Sequence, residues 1–232
     1  MTTIGDNLQS QRARLWRACE QAGRPPDAVR LLAVSKTFGP DAVRDALAAG
    51  QLAFGENYVQ EGVEKIAAVG AVPGIEWHCI GPIQSNKTRP VAEHFDWVQS
   101  VDRLKIAQRL SEQRPEHLPP LQVCLQVNVD GGANKSGVTP AELPTLAAAV
   151  AALPRLTLRG LMAIPEPAPD FETARGVFTQ VRALFDALNA QGLDLDTLSM
   201  GMSDDLEAAV AAGSTMVRVG RGVFGARAYA TT

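Results

Sequence analysis

Leu31-Leu32-Ala33-Val34-Ser35-Lys36 is the stretch on which the fold is decided. Apolar or small residues run without a break and end on a lysine. The run is too short for a helix and too continuous for a strand with one wet face, so it reads as a strand buried on both sides. Thr37-Phe38-Gly39-Pro40 interrupts it, and a helical segment follows to Ala49 with Pro40 in its first turn and Gly50 as its stop. Lys36 therefore lies at the carboxyl end of a strand in a βα unit, where α/β folds place their chemistry.

The same alternation extends in both directions. Upstream, residues 3–22 read as an amphipathic helix, with Ile4, Leu8, Leu15 and Cys19 on one face and Arg12, Arg14 and Arg17 toward solvent. Downstream, short apolar runs are expected as strands at 52–55, 75–80, 95–99, 122–129, 157–164, 198–201 and 216–219. Segments of helical spacing separate them. One runs to Val69 with Val59, Val63 and Ile66 inward. Another opens at Gln84-Ser85-Asn86-Lys87 and is limited by Pro90. The most regular, over 171–191, carries Phe171, Ala174, Phe178, Val181, Phe185 and Leu188. Asp102 is a candidate N-cap, Thr139-Pro140-Ala141-Glu142 a candidate capping box, and Ser203 a candidate cap for a helix through Ala212. No hairpin signal intervenes. The predicted fold class is α/β: a single (β/α)8 TIM-like barrel over residues 1–232, with an extra N-terminal helix.

Composition narrows the function. The net charge of −3 is dispersed, and no basic run is present to track a phosphate backbone, so nucleic acid is not an expected partner. No apolar run reaches the length of a membrane span, and the first residues lack a signal-like apolar core. Cys19, Cys79 and Cys124 are odd in number and far apart, which fits a reducing, cytoplasmic setting. His78, His94 and His117 form no ligand pattern, so no metal is expected.

Residues just after the strands share one barrel mouth. They are Lys36, Asn57, the Gly81–Asn86 loop, Lys135-Ser136, Met200 to Ser203, and Arg218 with the glycines that follow. The loops after strands seven and eight are the usual phosphate site of this fold. Ser203 offers a hydroxyl there, and Gly220 and Gly222 would let backbone amides approach an anion. Asp204 and Asp205 would repel a phosphate unless they face outward. Gly220 to Gly225 matches a dinucleotide fingerprint, but only seven residues follow it, too few for the βαβ unit that pattern requires. Arg218 interrupts an apolar strand. A buried guanidinium needs a partner, and with none nearby in sequence a ligand or a distant carboxylate is expected. A lysine and a phosphate site in one mouth suggest a Schiff base with pyridoxal phosphate or with a sugar phosphate.

The motifs together resemble the pyridoxal phosphate homeostasis protein family, which shares the barrel of alanine racemase. They are Leu32-Ala33-Val34-Ser35-Lys36, Phe54-Gly55-Glu56-Asn57-Tyr58-Val59-Gln60-Glu61, Trp77-His78 with Ile80-Gly81-Pro82, Gln84-Ser85-Asn86-Lys87, Lys135-Ser136-Gly137, Arg159-Gly160-Leu161-Met162-Ala163-Ile164, Ser199-Met200-Gly201-Met202-Ser203-Asp204 and Phe224-Gly225-Ala226-Arg227. The resemblance runs from about Leu31 to Arg227. It implies a non-catalytic, monomeric protein that holds pyridoxal 5'-phosphate as a Schiff base on Lys36 and takes part in vitamin B6 homeostasis, with apo-enzymes as recipients. It further implies Asn57 near the ring, Ser203 and the Gly220 backbone on the phosphate, and Arg218 facing the pyridine nitrogen. Arg221 stands where the family usually has threonine, so an added charge replaces a hydroxyl. Cys79 replaces a common aromatic, with an effect expected on packing only. The competing readings are an amino-acid racemase on the same barrel and a Schiff-base sugar-phosphate aldolase. A racemase needs a second acid/base, and the only tyrosines are Tyr58 and Tyr229.

Overall fold

The computed structural model describes residues 2–131 and 136–225. Lys135, the Ala226-Arg227 end of the last motif and Tyr229 lie outside the described residues. Eight parallel strands close in sequence order into a barrel: β1 (Arg30–Val34), β2 (Ala53–Glu56), β3 (Glu76–Cys79), β4 (Trp97–Val101), β5 (Leu121–Gln126), β6 (Leu156–Met162), β7 (Thr197–Ser199) and β8 (Met216–Val219). β8 pairs back onto β1, with Leu32 opposite Arg218. One helix precedes the barrel, α1 (Ile4–Gln21). One follows each strand: α2 (Pro40–Ala48), α3 (Val59–Val69), α4 (Thr88–His94), α5 (Leu104–Gln113), α6 (Leu143–Ala151), α7 (Phe171–Ala190), α8 (Leu206–Ala211) and α9 (Arg221–Phe224).

The strands are apolar on both sides because both sides are covered. Leu31, Ala33, Phe54, Val217 and Val219 pack outward into the main core beneath the helices. Leu32, Val34, Ala53, Ile80 and Met216 fill the barrel interior with a second cluster of Trp97, Cys124 and Met162. All three cysteines are buried thiols. No helix among the described residues is long and apolar enough to cross a membrane, and no group of three or more potential ligands there is placed to hold a metal.

Local expectations shift where tertiary contacts intervene. The fourth strand begins at Trp97, not Phe95, because the Phe95 N–H closes α4 on the Val91 carbonyl. Pro90 is the third residue of α4 and starts that helix rather than breaking it, since an N–H there has no helical acceptor. Asp102 does not cap α5, which opens after Arg103; it pairs with that arginine instead. Thr139 and Glu142 do bond reciprocally, but in a turn ahead of α6, which starts at Leu143. Asp170 is the side-chain cap of α7, and Phe171 in its first turn is exposed rather than inward. Arg12 and Arg14 do not face solvent. Arg12 donates to the carbonyls of Ala49 and Gly50, and Arg14 forms a two-pronged ion pair with Glu207.

Candidate ligand site at the barrel mouth

Lys36 follows β1 by two residues, and the peptide groups around it are fixed from the helix side. Lys65 on α3, nearly fully buried, donates its three protons to the Ser35 carbonyl (2.8 Å), Glu56 Oε1 (2.6 Å) and Glu61 Oε1 (3.0 Å). Ser35 Oγ donates to the same Glu56 oxygen at 2.5 Å. The Thr37 N–H donates to Glu61 Oε1 at 2.6 Å. Thr37 has a φ of 69°, a strained conformation for a β-branched residue, and Glu61 holds it there. Burial pushes the Glu56 carboxyl up in pKa, against the pull of Lys65 and Ser35. The expected inner stripe of α3 is thus incomplete: Val59, Val63 and Ile66 are only partly buried, while Gly62 and Lys65 are buried. Lys65 is fully engaged on the outer side of the sheet, whereas Lys36 lines the mouth.

The protein partners of Arg218 are carbonyl and hydroxyl oxygens rather than the carboxylate that was one expectation. One guanidinium nitrogen donates to the Ser199 carbonyl (2.7 Å) and Ser199 Oγ (2.8 Å); the other donates to the Ala163 carbonyl (2.8 Å). Its partners are the ends of β7 and β6, brought alongside by barrel closure. Burial pulls Arg218 down to about 10, with Asp205 opposing, which leaves it charged at neutral pH.

The loops after β7 and β8 complete the mouth. Ser203 is not a helix cap; α8 begins at Leu206 behind Asp205. Ser203 sits in the preceding turn, where its carbonyl accepts from Arg14 at 2.8 Å. Asp205 turns away from the mouth in part, with Oδ1 accepting the Met202 N–H at 2.6 Å. Asp204 is exposed and lies 3.5 Å from Arg221, so its repulsion of an anion is offset by that guanidinium. Gly220 opens α9 and passes close to Val34, where a Cβ would sit 3.3 Å from the Val34 carbonyl oxygen. Gly222 does not serve the mouth. A Cβ there would strike Gln11 and Val219, so this glycine admits α1. On the opposite rim, Gly81 passes so close to Asn57 that a Cβ would overlap the Asn57 carbonyl. Asn57 Oδ1 is buried with no hydrogen-bond partner among the described residues.

Lys36, Asn57, Ser203, Arg218, Gly220 and Arg221 line one cavity of about 370 Å³, together with Val34, Ile80, Ile164, Met202 and Asp204. All six candidates from the sequence converge. The contributors that sequence reasoning missed lie outside the lining: Lys65, Glu61 and Glu56 behind Lys36, and Ser199 with the Ala163 carbonyl behind Arg218. The i, i+4 spacing of Glu61 and Lys65 was the one available signal for the first group.

The alanine racemase N-terminal domain family matches residues 7–228. The pyridoxal phosphate homeostasis protein of Pseudomonas aeruginosa is 60% identical over 229 residues, 99% of this chain and 98% of that protein. The chain belongs to the pyridoxal phosphate homeostasis protein family. The Escherichia coli K12 member is 54% identical over 231 residues, covering 99% of each. The structure of PipY from Synechococcus elongatus with PLP bound is 39% identical and superposes with a TM-score of 0.83, over 96% of this chain and 100% of that one.

Proposed function

We propose that the protein binds pyridoxal 5'-phosphate in the barrel mouth, covalently through Lys36, and serves cofactor homeostasis rather than turnover. The observation that carries this reading is the single cavity lined by an amine, two guanidinium groups and a hydroxyl. Its volume suits a small cofactor. Asn57 Oδ1, a buried acceptor lacking a donor, and the Arg221 charge beside the Gly220 backbone fit a ligand with a polar ring and an anionic tail. The cofactor, when bound, supplies an aldehyde for covalent attachment and an electron-withdrawing ring.

The chain's own groups then divide the work. Lys36 is the nucleophile, held in place by the bonded peptides on either side of it. Arg218 presents a charge whose orientation three hydrogen bonds fix; beside a ring nitrogen it disfavours protonation there and weakens the ring as an electron sink. Ser203, Gly220 and Arg221 would hold the anionic tail. What supports a non-catalytic role is the lining: among the described residues, the titratable groups around the cavity are Lys36, Asp204, Arg218 and Arg221, and Tyr58 is exposed and outside it. Release to apo-enzymes belongs to the same reading.

The test is borohydride reduction of the loaded protein followed by peptide mapping, with Lys36→Ala as control. The label is expected on Lys36 and absent in the variant, whose fold persists. A label on Lys87, Lys105 or Lys135 would refute the assignment. α-Proton exchange of alanine in D₂O at enzymatic rates, lost in Lys36→Ala, would replace the carrier reading with the racemase.

A further inference from the structure

Barrel interiors of this fold are ordinarily filled by branched apolar side chains. Here a line of polar groups crosses the interior from the mouth to the opposite end. His78, Gln99 and Ser199 have no solvent exposure, and Arg218 has almost none. Arg218 is within 2.8 Å of Ser199 Oγ; Ser199 Oγ is 2.6 Å from Gln99 Oε1; Gln99 Nε2 is 3.0 Å from His78 Nδ1; and His78 Nε2 is 3.4 Å from Glu76 Oε2. Glu76 opens β3 at the far end and pairs with Arg30 at 2.9 Å.

Chemistry gives this line a single direction. A guanidinium can only donate, so Ser199 Oγ accepts from Arg218 and spends its own proton on Gln99. That sets the amide with its oxygen toward Ser199 and its nitrogen toward His78. The second amide proton faces Met216 Sδ at 3.2 Å. His78 Nδ1 must then accept, which leaves the proton on Nε2, facing the Glu76 carboxylate. Each group then has one role; the flipped amide would need a doubly protonated His78, burying a second cation, would turn its oxygen toward Met216 Sδ and would leave the Ser199 proton without an acceptor in the line. Trp97 stacks on the His78 ring with centroids 5.0 Å apart and prevents it from rotating out of line.

We infer that Ser199, Gln99 and His78 are positioning residues, which fix the Arg218 guanidinium in the cavity and anchor it through a one-way hydrogen-bond chain to Glu76 at the far end of the barrel. The inference rests on the reading of the cavity as a pyridoxal phosphate site, but its first test does not. In the full-length protein carrying His94→Gln and His117→Gln, labelled with ¹⁵N-histidine and free of cofactor, the one remaining ring is expected as the neutral Nε2–H tautomer at neutral pH. An Nδ1–H tautomer or a charged ring would overturn the direction of the chain.

The second test measures cofactor retention and visible absorbance in Ser199→Ala, Ser199→Thr and Gln99→Leu, beside thermal melting. Ser199→Ala, which removes one hydrogen bond to a charged group, is expected to weaken retention about tenfold, and Gln99→Leu, which frees the Ser199 hydroxyl to turn from Arg218, by less. They should also move the absorbance maximum of the bound cofactor. Ser199→Thr keeps the hydroxyl and should restore both. Equal behaviour of the alanine and threonine variants would overturn the positioning role. A wild-type protein that takes up no cofactor would strike the functional reading instead, and the tautomer would still decide this one.

Discussion

Lys36 and Arg218 reach the same cavity from adjacent strands, yet the two cations are held by opposite means. Behind Lys36 lies an ion network on the outer side of the sheet, under α3, and the lysine itself belongs to a strained turn. Behind Arg218 lies a neutral hydrogen-bond chain inside the barrel. The outer network sets countercharges against one another: Lys65 against Glu56 and Glu61. The inner chain carries one buried charge relayed through neutral groups. The first arrangement makes stability depend on an intact pair. The second makes orientation depend on an intact sequence of donors, with less stability at stake.

The sharpest way to break this contrast is to remove one cation from each region. Lys65→Met strands the Glu56 carboxylate in the core and should lower unfolding free energy by about 3–5 kcal/mol, the usual consequence of leaving half of a buried pair. Urea denaturation checks it. Adding Glu56→Leu should recover most of the loss, since an apolar pair of similar size is often no worse than the ion pair. Arg218→Met should cost less, about 1–2 kcal/mol, because removing the buried charge relieves its own desolvation while the Ala163 carbonyl loses its donor. The Ser199 carbonyl keeps a donor in the Ala163 N–H at 3.1 Å. Retention of cofactor should nevertheless fall in Arg218→Met. Equal destabilisation by the two substitutions would erase the distinction.

A loss smaller than that of Lys65→Met is expected on the rim of the mouth. Gly81→Ala would drive a methyl group into the Asn57 carbonyl, and backbone must move to admit it. The expected loss is about 1–3 kcal/mol, typical of overpacking, with weakened cofactor retention because Asn57 lines the cavity. The glycine has an ordinary φ, so the cost is steric and not conformational. A stable Gly81→Ala protein with unchanged retention would show that Asn57 is dispensable.

The same contrast explains how much was legible in sequence. The barrel was readable because its signals are local: each strand is a short apolar run, and each glycine or proline marks its end. The six lining residues were readable because strand ends share one mouth once a barrel is accepted. Their supports were not. Arg218 and Ser199 are 19 residues apart, Ser199 and Gln99 are 100 apart, and only strand order and register make them neighbours. Lys65 was hidden for a different reason. A lysine on an amphipathic helix reads as solvated, and burial of its ammonium depends on carboxylates from β2 and α3 meeting it together. Ser203 was misread because α8 starts behind Asp205, and capping geometry tolerates no such shift; Gly222 was misread because its close neighbour is Gln11 of α1, which is distant in sequence.

The gentlest test of the comparison uses acid. At the far end of the inner chain, Glu76 is held down to about 2, first by the His78 N–H and then by Arg30, against the opposing effect of burial. His78 itself is pushed down by burial more than Glu76 pushes it up, so at neutral pH it is a neutral donor. Glu76 has a folded pKa below its unfolded value. Its contribution to stability is therefore complete above the ordinary carboxylate range and is lost as pH falls from about 4.5 toward about 2. The melting-temperature gap between wild type and Glu76→Gln should be largest near neutrality and close through that window. The effect should be small, because Glu76 is about a third exposed and solvent screens it. Its sign is the informative part. A gap that first widened as pH fell from neutrality through the ordinary histidine range, before closing, would mean that Glu76 holds a proton on His78 in the folded barrel and that charge, rather than a neutral relay, links Glu76 to the mouth. A gap that closes without first widening would keep the links between Arg218 and Glu76 neutral, and would set the Arg218 side apart from the Lys36 side by one property: a buried charge whose direct partners are dipoles rather than carboxylates.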